Sequence, residues 1–159
     1  MSLLAQAPLV LAPAHVIRLT RASVQTAPRE ACGVLLGEVV RGERQVRRLT
    51  IGKNLAEEPD RFFLDPVHLM RQAEHTDADG LEILGVWHSH PDQPASPSRL
   101  DAEGSQPGWT QLIARVDDGT KEGPSMAREL TENDARAAPK DHLGENATNA
   151  RLSHGICID

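Results

Sequence analysis

Apolar positions first gather at residues 9–12, a short run that reads as a strand. Pro13 then suits the opening turn of a helix, where its missing N–H costs nothing. Val16 and Ile17, Leu19 and Thr20, and Ser23 and Val24 recur at helical spacing until Pro28 ends the pattern, so one amphipathic helix is expected. Residues 30–40 are nearly continuous in apolar side chains and carry Gly33 and Gly37, as expected of a strand buried on both faces. The alternating segment 44–51 reads as its hairpin partner, with Arg41-Gly42-Glu43 in the turn. Residues 54–60 form a polar loop and 61–64 a short strand. Asp65-Pro66 then opens a second helix, an N-cap acid followed by proline, that runs to about Ala78 and stops at Gly80. Two more buried strands are predicted over 81–87 and 110–116, the latter ending at the turn Asp117-Asp118-Gly119. This order of helix, strands, helix, strands is α+β, not a repeating βαβ crossover.

The pattern fades after that turn. Residues 120–159 hold six large apolar side chains, Met126, Leu130, Leu143, Leu152, Ile156 and Ile158, which is too few for a core. A helix over 126–138 is expected, and the remainder reads as a mobile tail or a segment held by docking. A domain over 1–119 with an apolar-poor extension over 120–159 is the organisation this implies.

Composition narrows the function. The 159 residues suit a single domain with one core, which at this size needs neither disulfides nor a structural metal to hold together. Aromatics are 3% against 39% hydrophobic residues, so the core is aliphatic. The net charge of -6 argues against a nucleic-acid partner. Charge is uneven, however: residues 1–53 carry eight Lys/Arg against three Asp/Glu, and residues 54–159 nine against twenty. Cys32 and Cys157 are too few and too far apart for a disulfide framework and fit a reducing compartment. No apolar run is long enough to span a membrane, and residues 3–14 lack the basic start of a signal peptide, so no membrane association and a cytoplasmic location are expected. Oligomeric state is not legible.

The chemistry is concentrated in 85–101. In an extended chain His88 and His90 project to one face, so two imidazoles at the end of a buried strand can converge on one ion. Pro91 turns the chain away, and a proline-punctuated loop brings Asp101 eleven residues after His90. Two His and one carboxylate make the three-ligand shell that leaves the fourth tetrahedral position of zinc open. Each member also has an ordinary reading. A His-x-His pair on a strand is commonly structural; Ser98-Arg99-Leu100-Asp101 is also a capping box; and Glu30 alone would be a solvated charge. The capping and metal roles of Asp101 need not exclude each other.

Glu30 within Pro28-Arg29-Glu30-Ala31-Cys32-Gly33, followed by His88-Ser89-His90-Pro91, six residues, Ser98, two residues and Asp101, resembles the JAMM (MPN+) zinc metalloprotease signature in its short bacterial form. The resemblance covers roughly residues 9–118. It implies a cytidine-deaminase-like layered, mixed β-sheet flanked by helices, and one Zn2+ per chain held by His88, His90 and Asp101. It further implies peptide or isopeptide hydrolysis, with Glu30 as the base that takes a proton from water and passes it to the leaving amine. Ser98 would donate to the substrate carbonyl as it becomes an oxyanion. The implied substrate is the Gly-Gly terminus of a ubiquitin-like or sulfur-carrier protein, added as a strand beside the sheet. After Asp118 the chain departs from the family, whose members continue with an apolar strand that closes the sheet.

Two other readings compete. A noncatalytic MPN-type interaction module would ordinarily lack a ligand or the base, and none is missing. A cupin-like metal oxygenase also opens on His-x-His, but expects a glycine-spaced β-barrel pattern with a later His. Elsewhere, Cys32 reads as a small buried hydrophobe, His68 and His75 as a solvated helix face, and His142, His154 and Cys157 form no spaced site. Gly85 reads as a position that leaves room for another backbone, a substrate strand included. Arg41, Arg44, Arg47 and Arg48 mark a basic hairpin on which strict alternation puts Arg44 and Arg48 on one face. That strip is either a solvated edge that discourages aggregation or a guide for an acidic partner.

Overall fold

A computed structural model describes residues 7–91, 98–99, 101, 106, 108–116, 128–130 and 156–158. The first strand, β1 (Leu9–Leu11), is followed by helix α1 (Pro13–Thr26), β2 (Cys32–Val40) and β3 (Glu43–Leu49). Helix α2 (Pro66–Asp79), β4 (Glu82–Pro91), β5 (Thr110–Val116), β6 (Arg128–Leu130) and β7 (Ile156–Ile158) complete the order. The strands form one mixed sheet in the order β6-β5-β4-β2-β3-β1-β7. β2 runs antiparallel to β3 and β4, whereas β4–β5 and β1–β3 are parallel. This is the expected α+β arrangement, a mixed sheet flanked by two helices. It leaves no place for the barrel that a cupin-like reading requires.

Local signals explain most boundaries. Asp65 Oδ1 accepts from the Val67 N–H at 2.9 Å, Pro66 opens α2, and Gly80 closes it with a left-handed φ of 67°. Arg41 (φ 51°) and Gly42 (φ 81°) make a two-residue turn, and Glu43 already pairs with Val40, so the turn is one residue tighter than expected. Leu19 and Ala22 of α1 join Leu9, Leu11, Leu35, Leu49, Trp87 and Leu112 of the sheet in a single aliphatic core around one indole. α2 buries no residue fully and rests on β4 and β2.

Several expectations are corrected. The segment 61–64 is not a strand; it contributes a single bridge, Asn54 to Leu64. Arg128–Leu130, inside the expected helix over 126–138, is a strand that pairs with β5, and the rest of that segment lies outside the described residues. β6 and β7 place short strands of the extension at both ends of the sheet. Arg44 and Arg48 do not share a face, because the β2–β3 register shifts between Leu36 and Gly37 and skips Arg47. Arg44 is buried and donates to Thr110 and to the Ala7 carbonyl, while Arg47 pairs with Glu38 and Arg48 with Asp79. A steering strip built on these arginines is therefore lost. Gly85 makes room for β5, not for a substrate, since a Cβ there would lie 1.9 Å from the Thr110 carbonyl oxygen. His68 is not simply solvated, as its Nε2 meets Thr50 Oγ1 at 2.9 Å.

Gly33 carries a sharper demand. The Trp87 indole N–H donates to the Thr50 carbonyl at 2.8 Å, close across β2 at this point. A Cβ on Gly33 would lie 1.8 Å from that oxygen and 2.5 Å from the indole nitrogen. Gly33→Ala should therefore lose at least about 2 kcal/mol, within the range for overpacking in a close-packed interior. Urea unfolding of the variant at an unchanged midpoint would contradict this packing.

Candidate metal centre

His88 and His90 sit near the end of β4, and both are essentially inaccessible to solvent. Strand alternation sends them to one side and Ser89 to the other. Ser89 pins the strand: its Oγ accepts from the Ala31 N–H at 2.8 Å and its own N–H donates to the Ala31 carbonyl at 2.9 Å. The strand end is thereby fixed to the residue after Glu30. Asp101 arrives from the following segment, where its Oδ2 accepts from the Ser98 N–H at 2.7 Å and its N–H donates to Ser98 Oγ at 3.1 Å. The capping box is real, and it does not prevent Asp101 from facing the histidines. Gln111 of β5 steadies the same residue by donating to its carbonyl at 3.1 Å.

Three ligand atoms converge. His88 Nε2 lies 3.0 Å from His90 Nε2 and 3.2 Å from Asp101 Oδ1, and His90 Nε2 lies 3.3 Å from Asp101 Oδ2. Bonds of about 2.0–2.2 Å to nitrogen and oxygen put tetrahedral ligands roughly 3.3 Å apart, and the imidazole pair, with one Asp101 oxygen beside each nitrogen, is on that scale. Among the described residues these three are the group able to hold a metal. Glu30 stands beside them, its Oε1 3.9 Å from His90 Nε2 and its Oε2 buried with no hydrogen-bond partner among the described residues. Two imidazoles, one carboxylate and an orphaned carboxylate oxygen within the same buried space fit a catalytic metal ion.

The electrostatics agree. Full burial depresses His88, against hydrogen bonding and charge from Asp101, and so keeps the imidazole neutral and able to bind metal. Burial works to raise the Asp101 carboxyl, but hydrogen bonds from His88 and His90 outweigh it and hold the group well below the usual carboxylate range. Burial lifts Glu30 to about 7 despite the opposing pull of His90. A divalent ion at the triad would draw Glu30 back down. Cys32 is buried beside the site and its thiol is pushed up to about 12 by that burial, so it is the inert small side chain expected.

Phe62 and Asn54 also shape the site and escaped the sequence reading. The Phe62 ring stacks on His88, with centroids 4.3 Å apart and planes within 15°. The Asn54 amide donates to the Glu30 and Arg61 carbonyls and accepts from the Ala56 and Phe63 N–H groups, all at 2.9–3.0 Å. Neither residue carries a spacing signal: Phe62-Phe63 does not say which ring turns inward, and Asn54 is one polar residue in a polar loop.

Comparison with known proteins agrees with this geometry. Residues 13–131 match the family described as prokaryotic homologs of the JAB domain. A protein named desampylase from Pyrococcus furiosus is 30% identical over 95 residues, covering 60% of this chain and 65% of the relative. A desampylase from Haloferax volcanii is 36% identical over 92 residues, with coverage of 57% and 65%. A probable TtuB-protein conjugate cleaving protease from Thermus thermophilus is 33% identical over 91 residues, with coverage of 56% and 58%. The matches thus span somewhat less than two thirds of these curated relatives. Two solution structures share the fold. A Desulfitobacterium hafniense protein superposes with a TM-score of 0.67 at 27% identity, covering 79% of this chain and 86% of its own. A Salinibacter ruber protein gives 0.54 at 28%, covering 91% and 96%. With the matched region reaching from α1 through His88, His90 and Asp101 to β6, the chain belongs to the prokaryotic JAB-domain family.

Proposed function

We propose that this chain is a zinc-dependent isopeptidase that hydrolyses a peptide or isopeptide bond at the Gly-Gly terminus of a ubiquitin-like or sulfur-carrier protein. The observation that carries the reading is the buried convergence of His88, His90 and Asp101 with a Glu30 oxygen beside them that has no partner among the described residues. The names of the relatives, desampylases and a conjugate-cleaving protease, support the substrate class. In this reading residues 1–119 form the catalytic domain and 120–159 an extension.

His88, His90 and Asp101 hold the ion, one zinc per chain. When bound, zinc supplies Lewis acidity that brings the pKa of water from 15.7 toward about 7. Glu30 accepts the proton of the attacking water and returns it to the leaving amine, and among the described residues no donor holds its Oε2. Ser98 Oγ already accepts from the Asp101 N–H, which orients the hydroxyl and leaves its proton for the carbonyl oxygen of the scissile bond. The noncatalytic alternative is disfavoured because base, oxyanion donor and all three ligands are present together.

The test is cleavage of a carrier protein joined through Gly-Gly to a lysine-containing peptide. Protein stripped by a chelator should be inactive and zinc should restore cleavage. Equal cleavage by stripped protein, or none after verified zinc loading, would remove the proposal.

A further inference from the structure

His88 faces the triad through Nε2, so when that atom binds an ion the proton resides on Nδ1. In metal sites this second N–H is ordinarily given to a carboxylate, a backbone carbonyl or water, which fixes the tautomer and the orientation of the ring. Among the described residues Nδ1 is buried with no hydrogen-bond partner. The Phe62 ring lies stacked on it at 4.3 Å with an interplanar angle of 15°. We propose that Phe62 is a positioning residue for the metal centre: its ring does by stacking what a hydrogen bond to Nδ1 does elsewhere, keeping Nε2 aimed at the ion. The inference rests on the metal reading above and adds a residue that acts through His88.

The fold holds Phe62 in place from a distance. The segment between β3 and α2 is closed at its base, where the Asp65 N–H donates to the Lys53 carbonyl at 2.9 Å and the Leu55 N–H to the Phe63 carbonyl at 2.7 Å. Between those bonds the Asn54 amide clamps both arms and also reaches the Glu30 carbonyl. Arg29 braces the same segment through the Ala56 and Glu57 carbonyls. This register decides which of two adjacent aromatics turns inward: Phe62 is half-buried against His88, whereas Phe63 is 57% exposed. A one-residue slip would exchange them.

Zinc affinity, measured by competition with a chromophoric chelator, separates stacking from mere filling of space. Phe62→Leu keeps an apolar side chain and removes the stack, and should bind zinc about 10- to 100-fold more weakly, as when an orienting partner of a ligand is removed. Phe62→Trp keeps an aromatic face and should stay within about threefold of wild type, by the same reasoning. Affinity unchanged in the leucine variant, or lost equally in both, would overturn the proposal. A second readout needs neither variant nor metal: in metal-free wild type the stacked ring should shift the His88 carbon-bound ring protons upfield of free histidine. Unshifted signals would overturn it as well. Wild type that binds no zinc would count against the metal reading, and the ring-proton shift would still decide the stack.

Discussion

Glu30→Gln should keep its zinc and its fold, yet cleave a Gly-Gly-tailed conjugate at least about 10²-fold more slowly, the low end of what a general base contributes. The amide has nearly the same shape as the carboxylate, and Glu30 is almost wholly enclosed, so packing around the site should barely change. What changes is that an amide oxygen cannot take a full proton and hand it to a departing amine. Glu30 stands outside the His88, His90 and Asp101 grouping able to hold an ion, with its Oε1 3.9 Å from His90 Nε2. Metal content and turnover should therefore separate in this variant. Zinc analysis beside a cleavage time course checks both, and turnover at the wild-type rate would show that another group is the base.

The second large effect belongs to the ligands. A His88→Ala, His90→Ala double variant removes two of three donor atoms and should retain no stoichiometric zinc by elemental analysis, with cleavage lost. Zinc at 100 times its dissociation constant should stabilise the wild-type protein by about 2.7 kcal/mol, and the double variant should lose that stabilisation. Both imidazoles are buried, so the variant leaves cavities and its metal-free melting temperature must be compared with that of the metal-free wild type. Full zinc retention, or an unchanged zinc-dependent shift in melting, would place the ion elsewhere.

The parts of the site legible in the sequence were those set by local geometry. A two-residue repeat on a strand puts His88 and His90 on one face whatever the rest of the chain does. Ser98 and Asp101 follow capping-box spacing, and the structure adds that one carboxylate serves the cap and faces the imidazoles. Asp65-Pro66 and Gly80 marked both ends of α2 by cap chemistry alone. The misses come from contacts that cross the chain. A bulge at Arg47 turns Arg48 away from the face of Arg44, and Arg44 is buried because Thr110, 66 residues later, supplies a partner. Phe62 finds His88, and Asn54 finds the Glu30 carbonyl, only once β2 and β4 are paired. β6 carries too few apolar residues to announce a strand, and its pairing with β5 is what makes it one. Such pairings depend on register and neighbours, which a single sequence read segment by segment does not contain.

Mass spectrometry of the intact products from a carrier joined by its C-terminal Gly-Gly to a lysine side chain tests the central claim most directly. Incubated with zinc-loaded protein, the conjugate should yield a carrier ending in a free Gly-Gly carboxylate and a peptide with an unmodified lysine amine, their masses summing to that of the conjugate plus one water. A conjugate left intact by protein of verified zinc content, or one cut at another bond, would contradict the account.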